Sequence, residues 1–346
     1  AGLRIADVSE PTNSRELGVY RVKGQGAGVY ASKDYAYVTD QESLYIIDIS
    51  DPTEPYMVGL CNTPGDEYGV FVVGDYAYVT GGTNGGLKAI DISNPESPHQ
   101  VGHYQTVGNA QRVYVAGDYA YLCIIASSQA LRVIDISKSD SLEEVGFYYT
   151  TCSDAHISGN YAYVAVNKGL QIIDISDPMN LDEVGFRQTP DAAIEVHVSG
   201  NYAYVADNIG LRVMDISDPT NPRNVGFYNT PGNALGIYVA NNHVYVADGK
   251  NGLLILKHTG GSEQPGEEPP DTTVPEVTQL FPNYPNPFSL ETWIPYQLSE
   301  GSEVAIRIYS VAGDMVQELN QGYKPAGFYI EKDVAVHWDG RNESDT

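Results

Sequence analysis

Six short connections, KGQGAG, TPGDEYG, TVGNAQR, TTCSDAH, TPDAAIE and TPGNALG, recur about every 42 residues in this 346-residue chain, and variation between copies is concentrated in them. They contain Asp66, Glu67, Asn109, Arg112, Asp154, Asp191 and Glu195. Mixed, mostly acidic side chains gathered in one place could bind a cation, a basic peptide or a sugar. If burial or a neighbouring charge shifted the titration of two carboxylates, acid–base chemistry of the hydrolase or lyase kind would also be open to them. The plain alternative is a set of solvated loop tips.

Other chemistry is harder to find. The chain has no G-x-S-x-G elbow, no H-E-x-x-H, no P-loop and no EF-hand loop. Asp48, Asp91, Asp135, Asp174 and Asp215, with Asp7 in a variant copy, sit in a repeated IDIS element. Each stands before a turn, several of the form Ser-Asp-Pro or Ser-Asn-Pro, where a short carboxylate accepts backbone N–H bonds, so they are expected to be structural. His156 and His197 fall where other copies have Tyr30, Phe71, Tyr114 and Tyr238, which makes them packing residues with a polar tip. Cys61, Cys123 and Cys152 are odd in number and lack CxxC spacing, so they read as buried or free thiols, with neither a disulfide framework nor a metal knuckle. Calcium suits acidic β-proteins, but no ligand spacing for it is present, and the expectation is no cofactor. With 19 Lys and Arg against 45 Asp and Glu, the net charge of −26 argues against a phosphate-binding surface, and no nucleic-acid partner is expected. No apolar run approaches the ~20 residues needed to span a bilayer, so no membrane insertion is expected.

The elements that must position these residues follow from the repeat. LRIADVS at Leu3 recurs as LYIIDIS, LKAIDIS, LRVIDIS, LQIIDIS, LRVMDIS and a decayed LLILKHT, with DYAYV-like segments about ten residues upstream of most copies. Each unit carries four short alternating stretches bounded by turn residues, for example RVYVAG, DYAYLCI, LRVIDIS and EEVGFYYT. A four-stranded meander at this period predicts an all-β fold, a β-propeller of four-stranded blades. In strand order a to d, c and d open the chain, five complete units follow, and a, b and c remain near 235–257. Six blades result if the N-terminal strand d completes the last unit, which leaves a surplus strand at 3–9. Seven result if further strands belong upstream, and this is favoured because a surplus strand exposes an edge. The YAY tyrosines are expected to pack between blades.

Residues 1–259 thus form the propeller, and 260–279 an acidic, Pro- and Gly-rich linker. Net charges of −15, −5 and −6 for propeller, linker and remainder show acidity spread over the whole chain. Residues 280–346 alternate as WIPYQLSE, EVAIRIYS, DMVQELN and FYIEKDVAVHWDG, the pattern of a small β-sandwich with Trp293 and Trp338 in its core.

The GLRVIDIS, VGFYNTPG and DYAYVAD elements resemble LVIVD-repeat β-propellers of bacterial surface and secreted proteins. LFPNYPNPF (280–288), followed by WIPYQLSE, IRIYSVAG, PAGFY and HWDGRN, resembles FlgD-like Ig or type IX secretion sorting modules, here incomplete at the C-terminus. The resemblance implies export and residence at the bacterial cell surface or outside the cell. It supplies no activity and no site residues. The expectation is therefore a non-catalytic, monomeric binding or scaffold propeller for an extracellular protein or glycan. The alternatives are a hydrolase or lyase at the acidic channel mouth and a purely structural surface-layer component.

Overall fold

The computed structural model describes residues 2–24, 26–63, 65, 67–82, 85–125, 129–257, 278–280, 292–309, 315–325, 327–329, 335–339 and 341. An N-terminal hairpin comprises β1 (Gly2–Asp7) and β2 (Arg15–Arg21). Blade 1 is β3 (Gly28–Ser32), β4 (Tyr35–Thr39), β5 (Ser43–Asp48) and β6 (Tyr56–Asn62); blade 2 is β7 (Glu67–Val73), β8 (Tyr76–Gly81), β9 (Gly86–Asp91) and β10 (His99–Tyr104). Blade 3 is β11 (Asn109–Ala116), β12 (Tyr119–Ile125), β13 (Ala130–Asp135) and β14 (Glu143–Tyr148); blade 4 is β15 (Asp154–Ser158), β16 (Tyr161–Val166), β17 (Gly169–Asp174) and β18 (Asp182–Gln188). Blade 5 is β19 (Ala193–Ser199), β20 (Tyr202–Asp207), β21 (Gly210–Asp215) and β22 (Arg223–Asn229), and blade 6 is β23 (Gly236–Ala240), β24 (His243–Ala247) and β25 (Leu253–Lys257). Every blade is an antiparallel meander, so the chain forms a six-bladed propeller. The β1–β2 hairpin is a separate two-stranded sheet, and β2 does not complete blade 6 as the six-blade closure required.

Two local devices build the joints from blade 1 to blade 5. The IDIS carboxylates turn the chain after the third strand: Asp48 accepts the N–H of Ser50 at 2.9 Å, and Asp91, Asp135, Asp174 and Asp215 do the same for Ser93, Ser137, Ser176 and Ser217. The Ser50 hydroxyl and N–H hold Asp48, and the Ser176 N–H and hydroxyl hold Asp174, below the ordinary carboxylate range. The expected structural role is thereby met. In the fourth strand a glycine then receives the next blade's turn. A Cβ at Gly59, Gly146 or Gly185 would overlap the carbonyl oxygen of Pro95, Pro178 or Pro219, so only glycine lets the blades close.

Apolar burial fills the rest. Tyr37, Tyr78, Tyr121, Tyr163 and Tyr204, each the second tyrosine of its YAY, are buried and cluster with residues of the following blade. Clusters of this kind, one per joint, are the body of the molecule.

One reading of the cysteines is overturned. Cys123 of β12 and Cys152 of the connection into blade 4 form a disulfide with Cα atoms 5.1 Å apart, and Cys61 is a buried thiol. The pairing escapes sequence arithmetic because the partners stand on different blades, 29 residues apart.

Beyond the propeller, β26 (Gln279–Leu280), β28 (Tyr296–Leu298) and β31 (Gly327–Tyr329) form one sheet. β27 (Thr292–Ile294) pairs with β32 (Val336–Trp338), and β29 (Ser302–Tyr309) with β30 (Met315–Lys324). Ile294, Tyr296, Leu298, Ile306 and Val336 make their shared core, with Trp338 partly buried against it. Trp293 is half-buried and lies against His337. Nearly all of the linker, 260–277, lies outside the described residues.

Candidate functional site

The innermost strands line the central channel, and shared register sorts their residues into tiers. Tyr30, Phe71, Tyr114, His156 and His197 each stand opposite the second YAY tyrosine of their blade, and Tyr238 opposite Tyr245, its equivalent in blade 6. Successive rings lie 4.7–5.0 Å apart from Tyr30 round to Tyr238, tilted or edge-on. The channel therefore carries an aromatic floor at its waist, with the two histidines in line as packing residues. Burial pushes His156 down to about 4, helped by neighbouring His197, which burial lowers as well. Both imidazoles are neutral at physiological pH.

Two residues earlier on each strand is a second tier: Gly28, Gly69, Arg112, Asp154, Glu195 and Gly236. Bulges just before it in β11 and β19 set its direction, and in β7 the register shift spans Gly69 itself. In blades 1 and 2 the glycine N–H donates to a threonine of the second strand, Gly28 to Thr39 Oγ1 at 3.0 Å and Gly69 to Thr80 Oγ1 at 2.9 Å. In blades 4 and 5 a carboxylate reaches to the next blade. Asp154 Oδ2 accepts the N–H of Val196 at 3.1 Å, and Glu195 Oε1 accepts that of Ile237 at 3.0 Å. Arg112 Nε lies 3.8 Å from Asp154 Oδ1, with its side chain substantially exposed. Polar groups from three consecutive blades thus gather on one side of the mouth, facing glycines on the other.

The electrostatics follow from burial. Asp154 is pushed up to about 7, first by burial and then by the charge of Glu195, against the pull of Arg112 and of backbone N–H groups. Glu195 is raised too, chiefly by burial, while its bond from Ile237 and the Arg112 charge oppose the shift. Near neutral pH the carboxylate pair holds a proton that an exposed pair would release. Behind it lies the disulfide: Cys123 stands opposite Arg112 in register, and Cys152 is two residues before Asp154.

Of the seven residues singled out in the connections, Arg112, Asp154 and Glu195 are brought together. Asn109 is half-buried at the start of β11. Asp191 is exposed and bonds the N–H of Ala192 at 2.7 Å, a loop-tip arrangement. Asp66 lies outside the described residues, and Glu67 is placed by its backbone at the start of β7, opposite Gly81. The glycine half of the tier was not foreseen; counting two residues back from each aromatic would have found it. Among the described residues no group of three or more His, Cys, Asp or Glu could hold a metal ion, and no helix is long and apolar enough to cross a membrane.

Inward-facing tiers on radially packed four-stranded sheets define a β-propeller whose channel mouth carries its distinctive chemistry. LVIVD repeats match at residues 23–63, 64–106, 107–150, 151–189, 191–230 and 231–256. The chain belongs to the LVIVD-repeat family. No curated protein matches it. Among solved structures it is similar to a protein from Lactobacillus plantarum (12% identity, 92% of this chain and 90% of that one, TM-score 0.61). It is also similar to a putative 6-phosphogluconolactonase from Bacteroides uniformis (11%, 68% and 80%, TM-score 0.60) and to BamB from Moraxella catarrhalis (14%, 88% and 87%, TM-score 0.51). At these identities the likeness is one of fold alone.

Proposed function

We propose that this chain is an exported, non-catalytic binding or scaffold module that takes an extracellular protein or glycan at the mouth formed by Arg112, Asp154 and Glu195. One observation carries the reading: three polar residues from consecutive blades occupy the same strand position above an aromatic floor, while glycine stands there in the other three blades. Carboxylates and a guanidinium beside aromatic rings suit ligands rich in hydroxyl groups or carrying basic side chains. The Cys123–Cys152 disulfide supports export, since such bonds persist in oxidising compartments. Residues 280–346, with their resemblance to Ig-like sorting modules, are proposed to hold the propeller at the cell surface or release it outside, and no cofactor is needed.

The test is a screen of the whole protein against glycans and basic peptides, beside Arg112→Ala and Glu195→Gln. Saturable binding lost in both variants supports the mouth, and binding unchanged in both refutes it. A second reading, hydrolase or lyase chemistry, draws on the elevated carboxyl of Asp154 beside Glu195. Turnover of a bound glycan or ester that Asp154→Asn abolishes would establish that reading in place of the first.

A further inference from the structure

The channel mouth holds more acceptors than its own donors satisfy. Asp154 Oδ2 takes the N–H of Val196 and Glu195 Oε1 that of Ile237, which fixes both carboxylates against the following blade. The second oxygen of each, Asp154 Oδ1 and Glu195 Oε2, accepts from no side chain among the described residues. Arg112 Nε, 3.8 Å from Asp154 Oδ1, stands beyond hydrogen-bond distance. One guanidinium therefore faces two carboxylates, and when both are ionised one negative charge is left over.

The surroundings suit a small organic cation. A Cβ at Gly28 would overlap Tyr68 O, so glycine there serves packing between blades. At Gly236 a Cβ would stand at ordinary contact distance, 3.7 Å from Glu195 Oε2, so glycine there keeps the space beside the carboxylate open. Two residues further along β15, β19 and β23, on the same inward face, are the rings of His156, His197 and Tyr238, whose π-faces favour a cation above them. A calcium ion asks for six to eight oxygens, and no third acidic or histidine ligand joins the pair among the described residues. A planar guanidinium is matched by two oxygens of one carboxylate, whereas here the two stand on different carboxylates. An ammonium, with three donors on a single atom, bridges them.

We infer that the mouth takes the protonated primary amine of a lysine side chain from a protein partner, its ammonium bridging Asp154 Oδ1 and Glu195 Oε2 above the aromatic floor. The assignment rests on the mouth being a binding site and narrows its ligand to a lysine-bearing protein. The incoming ammonium replaces the proton that the carboxylate pair holds near neutral pH, so binding releases that proton. The groups facing Asp154 are Arg112 and Tyr114 of β11, Glu195 and His197 of β19, and His156 on its own strand. Ala165 of β16 stands opposite it, and Cys123 of β12 is closed in the disulfide. Burial raises Tyr114 above the ordinary tyrosine range and lowers both histidines, which leaves the carboxylate pair as the source of the proton.

The probe is Nα-acetyl-lysine methylamide, titrated calorimetrically into the whole protein beside its Nε-acetylated form, the arginine analogue and glucosamine. The lysine compound should bind saturably at millimolar concentration and the Nε-acetylated form not at all. The arginine analogue and glucosamine should bind at least about tenfold more weakly. Its association constant should rise about tenfold from pH 6 to pH 8, as for displacement of a proton from a group titrating at about 7. Heats in buffers of different ionisation enthalpy should report about one proton released at pH 6. Glu195→Gln should weaken binding about tenfold or more, and Asp154→Asn should abolish the proton release. The ligand series is read on the unaltered protein, so it decides the matter even where a variant folds poorly. Equal binding of the Nε-acetylated form or of glucosamine, or binding without proton release, overturns the lysine assignment, and where Arg112→Ala weakens that binding the mouth itself stands. No binding of these compounds, nor of any glycan or basic peptide, overturns both.

Discussion

The joint between blades 4 and 5 and the seam between blades 6 and 1 are made from the same residue types and end differently. Tyr163, Leu170 and Val196 are buried in the first, while Val29 and Leu253 stand exposed at the second. A valine or leucine is buried only where a neighbouring sheet presents a matching face. The repeat therefore encodes a half-interface, and each blade is stable only by what adjoins it.

The largest expected effect separates these two situations directly. Tyr163→Ala should cost about 3–4 kcal/mol in urea unfolding by leaving a cavity inside a closed joint. Tyr245→Ala, the same position on the half-exposed outer face of blade 6, should cost less than half of that. Equal losses would mean that the two interfaces do not differ energetically.

Cys123→Ser with Cys152→Ser removes a cross-link closing a loop of 29 residues and should lower stability by about 3.6 kcal/mol on the loop-entropy argument. Since the bond joins blades 3 and 4, hydrogen exchange should quicken there first. An unaltered urea midpoint after reduction would show that the joint does not depend on it.

Next is the glycine joint. Gly185→Ala should destabilise by roughly 1–3 kcal/mol, because its Cβ meets Pro219 O. In Gly226→Ala the nearest atom is Val213 Cβ at 3.8 Å, since no turn from a following blade seats there, and the change should be near neutral. A comparable loss at both positions would contradict the proposed seating of the turn.

The smallest effect concerns the tie at the mouth. Asp154 titrates higher folded than unfolded, so the folded form binds the extra proton. Its contribution is therefore complete in acid and is lost as pH rises through about 7. His156, lowered to about 4, acts oppositely, and its contribution is lost as pH falls from about 6.5 towards 4. Between about 4 and 6.5 the two oppose each other, so the melting temperature should change little there and decline as pH rises from about 6.5 through 7. Asp154→Asn should flatten that alkaline decline and uncover the rise between about 4 and 6.5 that His156 supplies. A variant with the same alkaline decline would assign that limb to another group.

Much of the body was legible. The Asx turns at Asp48 and Asp174 act over two residues, and the YAY alternation repeats at every blade, so both can be read from a short window. The site was legible only in part. Arg112, Asp154 and Glu195 were marked because they vary, but Asp191 varies too and belongs to a loop tip. Sorting them required the bulges at Ala110 and Ala193, which set the direction of the next side chain and leave no composition signal. The cysteine pair was misread because spacing along the chain says little about proximity between blades.

The sequence by itself determined the four-stranded unit, its turn chemistry and its period of about 42 residues, since each depends on contacts within one unit. The tertiary structure alone decided three things: the disulfide across blades 3 and 4, the proton-holding carboxylate pair, and the seam that leaves Val29 uncovered. Each arises between units, where the packing angle of one sheet on the next fixes which groups meet, and no pattern internal to a single repeat carries that angle.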